Sequence, residues 1–305
     1  MSGFKRDRQG NAKKHDGPKQ SPKSIVRNAY TPMFEQLRDE LDEHHDRRDR
    51  IGKASRDVTA LSKKIIFSLQ RVRKIEEQLP ADIQTEIDLR LAEISKLLAS
   101  IAPDVQAINR YRYSRSLVCL EELVEALTFL HYLKTQTLIS HKELDPIVED
   151  LTRKGAAKED EVMTNAPDAA APDPEQSTPA QETEALTISL TDDDYVYGLF
   201  DLTGEMMRFA TTTSALTGKM ASADFGEDES ESRDIVQDMH DLGSFFEMLP
   251  LRSGNRIQWE KKLEVMRQSV QKVEKLGYDM KVRGSERPKG WVPDLSSNDQ
   301  PGSPE

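Results

Sequence analysis

The feature that most constrains this chain is a long stretch near its start without helix-breaking residues. Between Pro32 and Pro80 there is no further proline, and Gly52 is the only glycine. Apolar residues recur along it at steps of three and four, or their multiples, which places them on one face of an α-helix. They are Phe34, Leu37, Leu41, Ile51, Val58, Ile65, Leu69 and Val72. A helix over residues 31–79 far exceeds the mean of about 11–12 residues in globular proteins, and it predicts an element that spans a helical bundle.

The same apolar spacing returns along the rest of the chain, and no segment alternates with the period of two that marks a β-strand. Thr191, with Asp194 three residues later, resembles the capping box that begins a helix. Pro103 and Pro250 each follow the end of a helical stretch. Further helices are predicted over 81–102, 108–139, 143–151, 191–209, 234–249 and 257–280. We therefore predict an all-α bundle of about six or seven helices, with long antiparallel helices.

Charge is distributed unevenly, although the chain as a whole carries a net charge of -11. Residues 1–30 contain eight Lys or Arg and two Asp, whereas residues 152–185 contain three Lys or Arg and eight Asp or Glu. Segments of that composition bury too little apolar surface to fold. We expect disordered tails at 1–30 and 293–305, and a helical domain at 31–292 with a disordered acidic insertion at 152–187 and an acidic loop at 219–232.

Several classes of protein are excluded by what the sequence lacks. No run of about 18 apolar residues is present, so we expect no transmembrane helix and no membrane partner. The basic start of the chain has no apolar core of a secretory signal. Cys119 is the only cysteine, which excludes an internal disulfide framework and fits a reducing compartment. No phosphate-binding glycine motif and no nucleophile elbow is present.

Acidic residues interrupt the apolar faces of two predicted helices. Glu122 and Glu125 are three residues apart, so they lie on one helical face about 5–6 Å apart. Asp201 and Glu205 are four apart on a second helix, on a stripe that also carries Gly198. A glycine costs a helix roughly 1 kcal/mol relative to Ala, so Gly198 indicates that another group approaches closely at the level of the acids.

If these two helices face each other, four carboxylates converge. Like charges so close raise one another's pKa or require a cation, and a hard divalent ion such as Mg²⁺ or Mn²⁺ suits a set of oxygen ligands. Such an ion could polarise a phosphodiester and lower the pKa of a bound water. A di-iron centre is disfavoured because it needs Glu-x-x-His pairs, whereas Thr128 follows Glu125 at that spacing. The alternative is that both acid pairs lie on solvated faces.

Two basic clusters are candidates for contacts to nucleic acid. Arginine and tyrosine alternate from Arg110 through Arg112 towards Arg115, and such a pattern can contact phosphates and stack on bases. Lys281 and Arg283 belong to a second cluster at the end of the last helix. In the alternative interpretation, the first cluster has packed tyrosines and solvated arginines, and the second complements the helix dipole.

Five segments, taken in order, carry a family resemblance. They are Glu122-Leu-Val-Glu125-Ala, His131-Tyr-Leu-Lys134-Thr, Asp194-Tyr195 through Gly198, Asp201-Leu-Thr-Gly-Glu205-Met-Met-Arg208, and Lys281-Val-Arg-Gly-Ser-Glu-Arg-Pro288. Together they resemble the translin-associated factor X branch of the translin family, over residues 31–151 and 186–292.

The resemblance implies a translin-like helical bundle that joins its paralogue translin in a closed hetero-oligomeric shell. It implies a Mg²⁺-dependent endoribonuclease, active only in that complex, which cuts RNA with single-stranded character in RNA silencing and tRNA processing. The family's catalytic acids fall on Glu122, Glu125, Asp201 and Glu205. Of these, we expect Glu125 and Glu205 to bind the metal most directly.

A second hypothesis remains open, in which the chain is a non-catalytic scaffold of translin that binds nucleic acid. Both hypotheses imply single-stranded RNA as a partner, with DNA as a further candidate. The basic tail at 1–30 is compatible with a nuclear-import signal, so we expect the protein in the cytoplasm and the nucleus.

Overall fold

The computed structural model describes residues 27–164, 186–222, 233–250 and 256–283. Within those ranges the chain forms eight α-helices and no β-strand, and the prediction of an all-α fold is confirmed. The helices are α1 (Thr31–Leu69), α2 (Ala81–Ile101), α3 (Ile108–Arg112), α4 (Cys119–Thr135), α5 (His141–Thr164), α6 (Asp192–Thr217), α7 (Ile235–Met248) and α8 (Arg256–Arg283). None of the described helices combines the length and apolar character that a membrane-spanning helix needs.

Two of the predicted helices are not continuous over their predicted length. The first ends at Leu69 rather than near residue 79, and an irregular segment then buries Val72 and Ile75. The third divides into α3, a 3-10 turn over Ser114–Ser116, and α4. In both places apolar side chains fill the core from irregular backbone, and their spacing imitates that of a helix. This division gives eight helices where six or seven were predicted.

The predicted start of the acidic insertion at residue 152 is wrong, because α5 continues to Thr164. Thr152 is fully buried, and the Ser95 hydroxyl donates to the Leu151 carbonyl at 2.5 Å. A Cβ added at Gly155 would lie 2.0 Å from the carbonyl oxygen of Ser95. The close packing of α5 on α2 therefore extends the helix past the point where composition turns polar. The predicted tails, the rest of the insertion and most of the acidic loop lie outside the described residues.

The chain forms two compact units, Met1–Asp46 and Arg47–Glu305. In the first unit, Phe34, Leu37 and Leu41, three of the apolar residues predicted on one face of the first helix, are exposed. In the second unit, α4 packs on α6, and Leu120, Leu123 and Leu133 of α4 are fully buried. Its partner α6 also packs on α8, and α7 packs on α8.

An aromatic cluster holds α6, α7 and α8 together. The rings of Phe200 and Phe246 stack with centroids 4.0 Å apart. Trp259 meets Phe200 edge-on at 5.1 Å and also packs against Tyr197. Because these rings come from three helices, their packing fixes the side of α6 that is turned towards α8.

The start of α6 is fixed by several hydrogen bonds. The predicted capping box is present, since the Thr191 hydroxyl accepts from the Asp194 backbone N–H and the Asp194 carboxylate accepts from the Thr191 backbone N–H. Just before it, Gln106 donates to the Thr187 carbonyl at 3.0 Å, and the Leu190 N–H donates to Asp145 at 2.6 Å. These contacts set the register at which α6 crosses α4.

Candidate metal centre

Helices α4 and α6 cross at Gly198. A Cβ added there would lie 2.5 Å from Cγ1 of Val124 and 2.7 Å from the carbonyl oxygen of Glu121. Only a residue without a side chain permits that approach. The close approach predicted at Gly198 is therefore confirmed, and the approaching groups are the Val124 side chain and the Glu121 carbonyl of α4.

The crossing brings together the four acids predicted from the two stripes. Glu125 is 8% exposed. Its burial, and then the negative charges of Asp201, Glu122 and Glu205, raise the pKa of its carboxyl group to about 8. Burial is also the main reason why the pKa of Glu122 is raised. These carboxyl groups therefore lie near enough to influence one another's titration, and their role in catalysis stays a prediction.

Each of the other three acids has a cationic or amide partner. The Lys262 ammonium lies 2.5 Å from Oδ2 of Asp201. The Lys63 ammonium lies 3.6 Å from Glu122. Gln70 donates to Oε2 of Glu205 at 2.8 Å, and the Arg208 guanidinium lies 3.6 Å from the same oxygen. The acidic centre is thus bordered by positive side chains from α1, α6 and α8.

Two members of the centre were not predicted from the sequence. Glu121 lies 3.9 Å from the Lys262 ammonium, and its burial raises the pKa of its carboxyl group to about 7. It precedes Glu125 by four residues, the spacing of one helical face, and that signal was available. Lys262 lies on a separate helix, and no spacing connects it to the acids.

The residues fit a hard divalent cation in their chemistry. All the candidate ligands are carboxylate oxygens, and a buried Glu125 surrounded by like charges favours a cation beside it. Within the described ranges, no three or more acidic, His or Cys side chains are grouped closely enough to hold a metal ion. Asp201 pairs instead with Lys262, and Glu122 with Lys63.

The structure corrects the interpretation of Arg110. Its side chain is buried, where it forms an ion pair with Asp194 and donates to the Ser189 carbonyl at 3.1 Å. A guanidinium held in this way joins α3 to the start of α6 and cannot also bind a phosphate. Arg112, Arg115 and Lys281 are exposed, and the side chain of Arg283 lies outside the described residues.

These features define a class of helical-bundle proteins with a buried acidic centre at a helix crossing. Residues 46–284 match the Translin family model, and the chain belongs to the translin family. It is 31% identical over 271 residues to "Translin-associated protein X" of Mus musculus, covering 87% of this chain and 82% of that protein. It is 27% identical over 249 residues to "Translin-associated protein X homolog" of Schizosaccharomyces pombe, covering 81% and 86%.

The fold is similar to that in the solved structure titled "Crystal structure of apo-NeC3PO". The TM-score is 0.51 at 16% sequence identity, and the match covers 82% of this chain and 97% of that chain. At that identity the similarity shows a shared helical fold. It agrees with the family assignment made from the sequence.

Proposed function

We propose that this chain is the catalytic subunit of a Mg²⁺-dependent endoribonuclease that it forms with translin. The observation that carries the proposal is the buried Glu125 carboxyl group, whose pKa is raised by its burial and then by the negative charges of Asp201, Glu122 and Glu205. Acids brought together in this way are costly unless a cation offsets them. Membership of the translin family and the names of its relatives support translin as the partner.

In this proposal Glu125 and Glu205 hold the ion, and Mn²⁺ is the alternative to Mg²⁺. A bound ion of this kind supplies charge neutralisation at the phosphate and a water of lowered pKa. Glu122 and Asp201 orient the attacking water through their carboxylate oxygens. Lys63 and Lys262, which face these two acids, neutralise the charge that the acids leave uncompensated.

RNA with single-stranded character is the proposed substrate, and single-stranded DNA is a further candidate ligand. The side chains of Lys63 and Arg208 are more than half exposed beside the acids, where they can meet a phosphate backbone. The basic tail at 1–30 supports a protein that works in both the nucleus and the cytoplasm.

Cleavage of a labelled single-stranded RNA by the chain co-expressed with translin tests the proposal. Parallel reactions contain Mg²⁺ or EDTA, and they compare Glu125→Gln with Glu93→Gln, an exposed glutamate on α2. We expect cleavage that requires Mg²⁺, survives Glu93→Gln and is lost in Glu125→Gln. Cleavage that persists in Glu125→Gln or in EDTA would refute the assignment.

The competing function is a non-catalytic scaffold of translin. The pairing of Asp201 with Lys262 and of Glu122 with Lys63 favours it, because both lysines take the place of a metal as counter-charge. An intact complex that binds RNA and does not cut it under any divalent ion would establish this function instead.

A further inference from the structure

One face of α1 runs along the edge of the acidic centre. Lys63 lies on it and contacts Glu122, and Gln70, which directly follows the last residue of α1, donates to Glu205. Residues separated by three and four positions are neighbours on a helix surface. Phe67 follows Lys63 by four residues and precedes Gln70 by three, and this spacing places it on the side of α1 from which these two side chains reach the acids.

The Phe67 ring is 62% exposed. Its helical neighbours are all polar, since Lys63 and Lys64 precede it and Gln70 and Arg71 follow it at the same spacings. A ring surrounded by cations and an amide does not belong to a continuous apolar patch of the kind that a protein partner covers. It has the composition of a surface for single-stranded nucleic acid, where aromatic rings stack on bases and cations contact phosphates.

The charges beside the ring have the sign that such a ligand requires. The side chains of Lys63 and Arg208 are 54% and 60% exposed, and each lies 3.6 Å from one acid of the centre. A nucleic-acid backbone that contacts both cations would therefore lie beside Glu122 and Glu205. A base of that strand at Lys63 would then be close to Phe67, which is four residues further along α1.

We propose that Phe67 is a base-stacking residue that holds one unpaired nucleotide of single-stranded RNA beside the acidic centre. The inference rests on the proposed function for the identity of the substrate. It adds a reason for single-stranded character, because a base in a duplex has no free face to offer the ring. Phe67 thereby acts in substrate selection and takes no part in the chemical step.

The first test replaces Phe67 in the full complex with translin, in a Glu125→Gln background so that RNA stays intact. Base stacking on an aromatic ring contributes about 1–3 kcal/mol per base, so we expect Phe67→Ala to weaken binding of a 12-nucleotide RNA by about 5- to 150-fold. Phe67→Tyr keeps the ring and keeps the affinity. An oligomer of abasic nucleotides, which has no bases to stack, should bind equally well to the complex with Phe67 and to the complex with Phe67→Ala.

The second test uses Phe67→Trp as a fluorescent reporter. Phe245→Trp is the matched control, because Phe245 is also 62% exposed but lies on α7, which contributes none of the acids. Single-stranded RNA should quench the fluorescence added by Phe67→Trp, and neither a blunt duplex nor the control variant should give that quenching.

Unchanged RNA affinity in Phe67→Ala, or quenching equal to that of the control, would overturn the inference. Failure of Phe67→Ala and Phe67→Tyr alike to assemble with translin would also overturn it, since the ring would then pack against the partner. These outcomes are independent of catalysis. Whether the complex is a nuclease is decided separately, by the cleavage assay that compares the wild type with Glu125→Gln.

Discussion

The ammonium of Lys262 lies 2.5 Å from Oδ2 of Asp201. The same ammonium lies 3.4 Å from the Tyr197 carbonyl oxygen and 5.5 Å from the centroid of the Tyr197 ring. Lys262 comes from α8, whereas the acids come from α4 and α6. A third helix therefore supplies a positive charge that offsets the negative charge of the acids where α4 and α6 cross.

Replacing that charge should destabilise the complex in the absence of metal. Lys262→Met removes the ammonium and leaves Asp201 and Glu121 without it, and a lost hydrogen bond between charged groups costs about 1–3 kcal/mol. We expect a melting temperature lower by about 2–4 °C for each kcal/mol lost. Added Mg²⁺ should raise the melting temperature of Lys262→Met by more than it raises that of the wild type.

The control for this prediction is Lys261→Met, because Lys261 is the adjacent, exposed lysine on α8. Calorimetry at one fixed complex concentration compares the three proteins. Equal melting temperatures for the two variants would show that the ion pair with Asp201 contributes nothing to stability.

The raised pKa of Glu125 predicts how stability depends on pH. A carboxyl group with a pKa near 8 in the folded protein and an ordinary value of 4.5 binds its proton more tightly when folded. Its contribution is therefore complete below about pH 4.5 and declines as the pH rises towards 8. We expect the metal-free complex to lose on the order of a few kcal/mol across that range.

Glu125→Gln should flatten this dependence, since an amide does not titrate. Melting curves of the metal-free complex at pH 5, 6, 7 and 8 measure it, and the exposed Glu93→Gln serves as control. A parallel decline in Glu125→Gln and the wild type would show that other groups carry the pH dependence.

The close crossing of α4 and α6 predicts a cost for any side chain at residue 198. Gly198→Ala places a methyl group against Val124 and the Glu121 backbone. Overpacking of this kind costs typically about 1–3 kcal/mol. The helices must separate, so we expect weaker Mn²⁺ binding by electron paramagnetic resonance as well as a lower melting temperature.

Gly204→Ala is the matched control, because Gly204 is also on α6 and a Cβ there would have nothing within 4 Å. It should stabilise the helix by roughly 0.5–1 kcal/mol. If Gly198→Ala is as stable as Gly204→Ala, the two helices are not held as closely as described.

Arg110 and Arg115 should respond to replacement in opposite ways. Arg110→Ala removes the guanidinium that pairs with the Asp194 carboxylate and leaves that carboxylate only its hydrogen bonds from Thr191. Breaking a buried ion pair costs up to about 3–5 kcal/mol. Arg115 is exposed, so Arg115→Ala should leave the melting temperature unchanged. If Arg115 contacts a phosphate, the variant reduces the salt dependence of RNA binding by about one unit of slope.

Both effects are read from the same two measurements, a melting curve and a titration of RNA binding against salt concentration. If the Arg110→Ala complex is stable and its RNA affinity depends less steeply on salt concentration, Arg110 contacts the nucleic acid. If the salt dependence of RNA binding is unchanged in Arg115→Ala, Arg115 does not contact the nucleic acid.

The sequence predicted those helix ends that have a local chemical cause. α2 begins directly after Pro80, and α6 begins at its Thr191 capping box. The end of α1 could not be predicted, because Val72 and Ile75 continue the apolar spacing from irregular backbone. The length of α5 depends on its contact with Ser95, which is more than fifty residues away in the chain.

The acidic centre, too, could be predicted from the sequence only in part. The stripes of Glu122 with Glu125 and of Asp201 with Glu205 follow from helical spacing, and Gly198 indicated that something approached them. Lys262 and the buried pair of Arg110 with Asp194 depend on contacts between distant helices. No spacing in the sequence links Lys262 to Asp201 or Arg110 to Asp194, so neither pair could be predicted.

The fixed start of α6 also bears on how the family can diversify. Gln106, Arg110 and Asp145 fasten the segment just before α6 to the body of the bundle. The position of α6 is therefore set by these contacts and not by the length of chain that connects it to α5. A related chain with a longer or shorter connection would keep its carboxylates at the helix crossing in the same place.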